Sequence, residues 1–252
     1  MGTHVFYLAN RSPALCAAGE ALKARGYGVV ERPCEGVTDV LLPVPSLNGD
    51  GTLKGGGDLN DLLAQLPKNV MVLGGFLPPL PGYRCIDLLK DPIYLAENAS
   101  ITAYCALRHA MEALPVTMRN CPVLIIGWGR IGKCLAALLW ALEADVTVAA
   151  RKEADRAMAH ALGYRACDLA FTEDINKYRL IINTVPAPVL DAALLSHCRT
   201  GCVKIDLAST LGIEGEDVLW ARGLPGKDAP ESSGKLIAKT VCRLLGRKEL
   251  SV

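Results

Sequence analysis

The segment that most restricts this chain lies near its middle. Val123-Leu124-Ile125-Ile126 is a short apolar run that leads directly into Gly127-Trp128-Gly129-Arg130-Ile131-Gly132. A helical pattern of apolar residues follows from Arg130 to Leu142, and a second apolar run occupies 145–151. Strand, G-x-G-x-x-G, helix and strand in this order give each glycine a physical task. Gly127 allows the tight turn out of the strand, Gly129 leaves the backbone bare for a pyrophosphate to approach, and Gly132 lets the helix pack close to the sheet. The helix N-terminus adds N–H groups and positive potential. The pattern predicts a Rossmann dinucleotide-binding domain in which Gly127, Gly129, Arg130, Ile131 and Gly132 contact the cofactor; the alternative is a Gly-rich turn in another α/β protein.

The end of the second strand selects the cofactor. NAD-binding domains usually place Asp or Glu there, about 20 residues on, against the ribose hydroxyls. Here the strand ends Ala149-Ala150-Arg151-Lys152, and Glu153 and Asp155 follow on what reads as the next helix. Arg151 can grip a 2′-phosphate by charge-assisted hydrogen bonds with Lys152 assisting. The missing acid also removes a repulsion of that phosphate. The expected cofactor is therefore NADP(H), against the alternative of an ordinary solvated Arg-Lys pair.

Two further strands continue the series. One is 180–185, ending in Asn183 and Thr184; the other is 202–207, ending near Asp206, Ala208 and Ser209. Open α/β sheets bind ligands at the carboxyl ends of their strands, so these polar residues either face the nicotinamide or cap the following helices.

The first half alternates in the same way. Apolar runs at 4–9, 29–31, 39–43, 70–74 and 85–87 read as strands, with helical patterns at 13–25 and 59–66 between them. Residues 48–57 are too rich in glycine for a regular element. A helix is expected from Asn98, its N-cap, to Leu114, ahead of Pro115. Gly223-Leu224-Pro225-Gly226 reads as a turn, and a last helix runs from Pro230 to Leu245. The expected fold is α/β: two Rossmann-like parallel-sheet domains joined by crossing helices, with a cleft between them. Residues 1–97, flavodoxin-like and completed by the C-terminal helix 230–252, form one domain, and residues 98–229 form the NADP-binding domain.

Composition agrees with this class. Of 252 residues, 51% are hydrophobic but only 5% aromatic; Ala, Val, Leu and Ile therefore dominate, as buried parallel strands require. Lys and Arg number 27 against 26 Asp and Glu, a net charge of +1. No charge excess points to nucleic acid or an acidic membrane surface as a partner. The ten cysteines are scattered without metal-ligand spacing, so they read as buried, reduced thiols and no metal is expected. The first ten residues lack a basic-then-apolar leader, and the longest apolar stretch, 135–142, is too short to span a bilayer. A cytoplasmic location is expected.

Two lobes with crossing helices suggest the D-2-hydroxyacid dehydrogenase architecture. That chemistry calls for an Arg after the strand 202–207 and a Glu and His before the last crossing helix. The chain has Ala208-Ser209-Thr210 at the first place and no His between Gly223 and Gly234.

Several separated motifs resemble the family of A-type subunits of dipicolinate synthase. They are Leu41-Leu-Pro-Val-Pro45 with Asn48-Gly-Asp-Gly51, Asn98-Ala99 with Thr102-Ala103, Ile125–Gly132 with Val146–Arg151, Ile182–Pro186, Ile205–Ser209, and Gly223–Gly226 with Ala229-Pro230 and Ser233-Gly234. The resemblance implies an NADP-dependent oxidation of dihydrodipicolinate to dipicolinate, in sporulation, beside a second, flavoprotein-like subunit. The substrate, a small dicarboxylate, would call for cationic partners, and Lys227, Arg130, Arg108 and His109 are the candidates; homodimerisation is left open. Asp206, Ser209 and Lys227 are the candidate catalytic residues. Asp206 either serves as base, alternatively to a bound water, or braces the loop after its strand. The chain departs from the family in carrying Tyr104-Cys105 for Glu-Gly and Arg222 for Pro. An NADP-linked reductase of another small carboxylate and a cofactor-binding scaffold without turnover are the rival readings.

Overall fold

The computed structural model describes residues 4–169 and 174–246. Residues 1–3 of the expected N-terminal domain and 247–252 of the expected C-terminal segment lie outside them. The chain divides into two units, one of residues 1–98 with 225–252 and the other of residues 99–224.

In the first unit, five parallel strands form one sheet: β1 (Val5–Leu8), β2 (Gly28–Val30), β3 (Asp39–Leu41), β4 (Met71–Gly74) and β5 (Arg84–Asp87), in the order β2-β1-β3-β4-β5. This is the flavodoxin-like order. Helix α1 (Pro13–Lys23) begins with proline, whose missing N–H has no helical partner to lose. Helix α2 (Leu59–Ala64) is capped by Asp58, which accepts from the Asn60 and Asp61 N–H groups at 2.7 and 3.2 Å. Val40, Leu42, Leu59, Leu63 and Val72 are buried in the core beneath α2.

The helix expected to start at Asn98 starts six residues earlier, because a stronger signal precedes it. Helix α3 runs Pro92–Ala113. Asp91 accepts the Tyr94 N–H at 2.7 Å as N-cap, and Pro92 is the first helical residue. Asn98 therefore lies inside the helix. The last helix of the chain, α8 (Pro230–Leu244), is fastened to the start of α3 by Lys239–Glu97 at 3.0 Å and Arg243–Asp91 at 2.5 Å. It packs against α1 so closely that a Cβ on Gly234 would strike the Ala14 carbonyl oxygen and lie 2.6 Å from both the Ala17 Cβ and the Ala18 nitrogen.

The second unit holds β6 (Pro122–Ile126), α4 (Arg130–Ala141), β7 (Asp145–Ala149), α5 (Glu153–Ala161), β8 (Arg165–Cys167), β9 (Leu180–Asn183), α6 (Ala192–Leu195), β10 (Val203–Asp206) and β11 (Val218–Trp220). Its six strands are parallel, in the order β11-β10-β9-β6-β7-β8. Counted from β6 this is the Rossmann order 3-2-1-4-5-6. Sequence reasoning missed β8 and β11, each three residues long and at an edge. The Gly223–Gly226 segment, read as a turn, opens a short helix instead, α7 (Leu224–Asp228).

The ten cysteines are free thiols. Seven are buried or half-buried, and burial pushes the Cys202 thiol up to about 12. Cys16, Cys34 and Cys85 are exposed, contrary to the expectation of uniform burial; they stand on α1, in a loop and on an edge strand. Among the described residues, no helix is long and apolar enough to cross a membrane.

The α1–α8 contact gives a first expected outcome. Gly234→Ala gains about 1 kcal/mol of helix propensity but forces a methyl into backbone, a cost of about 1–3 kcal/mol. Urea unfolding should show a net loss of up to about 2 kcal/mol; a raised midpoint would refute the close packing.

Candidate functional site

The carboxyl ends of β6, β7, β9 and β10 gather the polar residues of the second unit. At the end of β6, Gly127 has φ +103°, a left-handed conformation that disfavours side chains. A Cβ there would also meet the Thr184 hydroxyl and come 2.9 Å from Val185 Cγ2. Thr184 is held by its own hydrogen bond, Oγ1 donating to the Ile126 carbonyl at 2.9 Å. Gly132, in the first turn of α4, faces the Gly127 carbonyl oxygen, and a Cβ would strike it. The two glycines therefore let the helix begin against the strand.

Gly129 is different. It is the N-cap of α4, with φ −77° and ψ −169°, and a Cβ there would meet nothing within 4 Å. No side chain caps this helix end. Open space beside uncapped N–H groups suits the pyrophosphate of a dinucleotide. The residues thus fit a nicotinamide cofactor, with Gly127, Gly129, Arg130, Ile131 and Gly132 at the turn. Arg130 is exposed. Trp128, between the first two glycines, is 7% exposed and packs edge-on to Tyr164 at 5.7 Å between ring centres.

At the end of β7, Arg151 and Lys152 are both exposed, and Glu153 and Asp155 lie in the first turn of α5, where they complement the helix dipole. The loop between β7 and α5 is held by Arg156, which sequence reasoning did not single out. Its Nη1 donates to the carbonyl oxygens of Ala150 at 2.8 Å and Arg151 at 2.9 Å, and to Asp168 Oδ2 at 2.5 Å. An Arg within a helical pattern gives no sign in sequence that it will fold back on the loop before it.

The ends of β9 and β10 form a closed polar network. Asp206 is fully buried. Its Oδ1 accepts the Ala208 N–H at 2.9 Å; its Oδ2 accepts the Gly212 N–H at 2.7 Å, the Ile213 N–H at 3.0 Å and Asn183 Nδ2 at 3.0 Å. Asn183, also fully buried, donates from Nδ2 to the Val185 carbonyl at 3.0 Å and accepts the Val185 N–H on Oδ1 at 2.9 Å. Three of the four donors converge on Oδ2 and one on Oδ1. Of the two roles expected for Asp206, this geometry has the form of the brace: the carboxylate ties the end of β10 to Asn183 and to the loop at Gly212. The Asn183 side chain is likewise turned to the protein, while Ser209 is exposed beyond the brace.

The other candidates are dispersed. Lys227 is exposed on α7 and belongs to the first unit. Arg108 and His109 lie on α3, 3.8 and 3.9 Å from Glu112. Tyr104, on the same helix, is 60% exposed. Arg222 stacks its guanidinium over the Trp220 ring at 4.9 Å.

Comparison with known proteins agrees with this geometry. Residues 114–208 match a family described as "Putative NAD(P)-binding". The chain is 26% identical over 239 residues to the A-type subunit of dipicolinate synthase from Bacillus subtilis, covering 85% of this chain and 80% of that protein. Among solved structures it is similar to the A-type subunit of dipicolinate synthase from Bacillus halodurans, with TM-score 0.85, 22% identity and coverage of 98% and 99% of the two chains. The fold is also shared with D-lactate dehydrogenase of Escherichia coli, with TM-score 0.62, 14% identity and coverage of 96% of each chain. These findings support a nicotinamide cofactor and an NAD(P)-linked, oxidoreductase-type role.

The glycine geometry separates stability from binding. Gly129→Val should cost about 1 kcal/mol or less of stability, the scale for a poorer N-cap, and abolish measurable dinucleotide binding. Gly132→Ala should lose about 1–3 kcal/mol of stability through overpacking. Thermal melts and cofactor titrations distinguish the two, and equal losses of stability would sink the assignment. Asp206→Asn should lower stability by about 1.5–3 kcal/mol, the scale for hydrogen bonds to a charged group. A variant as stable as the parent yet inactive would restore Asp206 as a base.

Proposed function

We propose that this chain is an NADP(H)-dependent oxidoreductase subunit of dipicolinate synthase type, oxidising dihydrodipicolinate to dipicolinate beside a second, flavoprotein-like subunit. The observation that carries the reading is the β7 end: a strand tip with two exposed cations and no carboxylate, in a chain similar along 85% of its length to the A-type subunit of dipicolinate synthase.

Bound NADP+ would supply a two-electron acceptor for the ring carbon that loses hydride. The chain's part is to bind and orient. The backbone N–H groups at Gly129, Arg130 and Ile131 hold the pyrophosphate on the α4 dipole. Arg151 and Lys152 clasp the 2′-phosphate, where a planar guanidinium can make paired hydrogen bonds. Thr184 sets the wall of the glycine turn by filling the space that a Gly127 side chain would need. Asp206 and Asn183 are positioning residues: they fix the ends of β9 and β10, and so the exposed Ser209 beyond them. Within the second unit Arg130 remains the cation offered to a carboxylate, since Arg108 and His109 already face Glu112. The proton released on aromatisation passes to water in this reading, because Asp206 is fully buried and turned to the protein.

A second reading, a cofactor-binding scaffold without turnover, is favoured by Tyr104, an exposed phenol where the family resemblance places Glu. Dihydrodipicolinate turnover with NADP+, with and without the partner subunit, decides between them: dipicolinate formation supports the enzyme, and tight NADPH binding without product supports the scaffold. For the cofactor itself, Arg151→Ala should weaken NADPH by about 1–3 kcal/mol and leave NADH nearly unchanged in a fluorescence titration. Equal losses for both would remove Arg151 from the 2′-phosphate site.

A further inference from the structure

We infer that the Arg156–Asp168 pair is a specificity device for the 2′-phosphate; the inference rests on the NADP(H) reading above. The cation-bearing loop lies beside the end of β8. Ala149 pairs with Cys167, and the Ala150 N–H donates to the Cys167 carbonyl at 3.0 Å. Asp168 is the next residue, so a carboxylate stands next to the strand tip even though the tip itself carries none. Unopposed by a cation, that charge would repel a phosphate bound by Arg151 and Lys152.

Arg156 answers it. One guanidinium nitrogen reaches Asp168 Oδ2 at 2.5 Å and the carbonyls of Ala150 and Arg151 at 2.8 and 2.9 Å. The side chain is mostly buried, with 24% exposure, whereas Asp168 is 52% exposed. One group thus does two things: it offsets the Asp168 carboxylate, and it fixes the main chain that carries Arg151. The carbonyl dipoles of Ala150 and Arg151, which accept from the same nitrogen, are offset as well, which lowers the negative potential a phosphate would meet. Arg156 acts through its neighbours and is a positioning residue. An NADH ribose has no 2′-phosphate, so removing Arg156 should penalise NADPH selectively.

The test is a titration of the full chain with NADPH and NADH in four forms: parent, Arg156→Gln, Asp168→Asn, and both together. In Arg156→Gln, NADPH affinity should fall about tenfold or more, the lower range for a charged hydrogen bond, while NADH changes by less than about threefold. Adding Asp168→Asn should recover much of the NADPH loss, because the opposing carboxylate is then gone. A loop-bracing role alone would not be rescued by Asp168→Asn, so a double variant as weak for NADPH as Arg156→Gln, or equal losses of NADPH and NADH, overturns the inference while the parent's NADPH preference stands. Should Arg156→Gln fold poorly, Asp168→Asn alone decides: unchanged or tighter NADPH binding supports the pair, and weaker NADPH binding overturns it. A parent with no NADPH preference overturns the cofactor reading itself, and this inference with it.

Discussion

Helix α4 reaches the end of β6 because no side chain stands at Gly127 or Gly132. The Gly127 carbonyl occupies the place where a Gly132 Cβ would lie, and the Thr184 hydroxyl occupies the place of a Gly127 Cβ. Backbone therefore meets backbone, and the positive end of the helix is brought to the edge of the sheet. The open space at Gly129 follows from that approach, as does the setting of β7, which pairs with β6 along its whole length. A single methyl at the contact would push the helix outward and displace the uncapped N–H groups at its start.

Around this contact the polar groups are satisfied in two different ways. Asp206 and Asn183 turn inward and join the ends of β9 and β10 to the loop at Gly212, with buried partners on every side. Networks of this kind are costly to leave incomplete and therefore hold one geometry. Arg156 works at the rim, where solvent weakens each charge and the effect lies in where the loop carbonyls and Asp168 are held. Asp206 and Asn183 thus spend their polar atoms on the protein, and Arg151 and Lys152 are left exposed with their charge available.

Much of the architecture is legible in the chain alone. The strand, G-x-G-x-x-G, helix and strand run is a local pattern, and each step follows from backbone sterics and apolar periodicity. The alternation of strands and helices likewise implies the parallel sheets. The failures are also local in cause. Asn98 looks like a cap, but Asp91-Pro92 is the earlier and stronger start. Gly223–Gly226 has the residues of a turn, yet the chain goes on from Gly223 into a short helix. Strands β8 and β11 are three residues long, too short for alternation to register, and they exist because neighbouring strands offer them an edge.

The sequence by itself determined the class of fold, the place of the glycine turn and the absence of an acid at the β7 tip, because these depend on residues close along the chain. Only the tertiary structure decided which partners the polar residues have. Asp206 could be read as a base or a brace until four donors from three segments closed on it. Arg156 could not be read at all, since its partners are 5, 6 and 12 residues away and meet only when β7 and β8 lie side by side. Hydrogen bonds between distant segments are set by strand order and register, and these emerge when the whole sheet has formed.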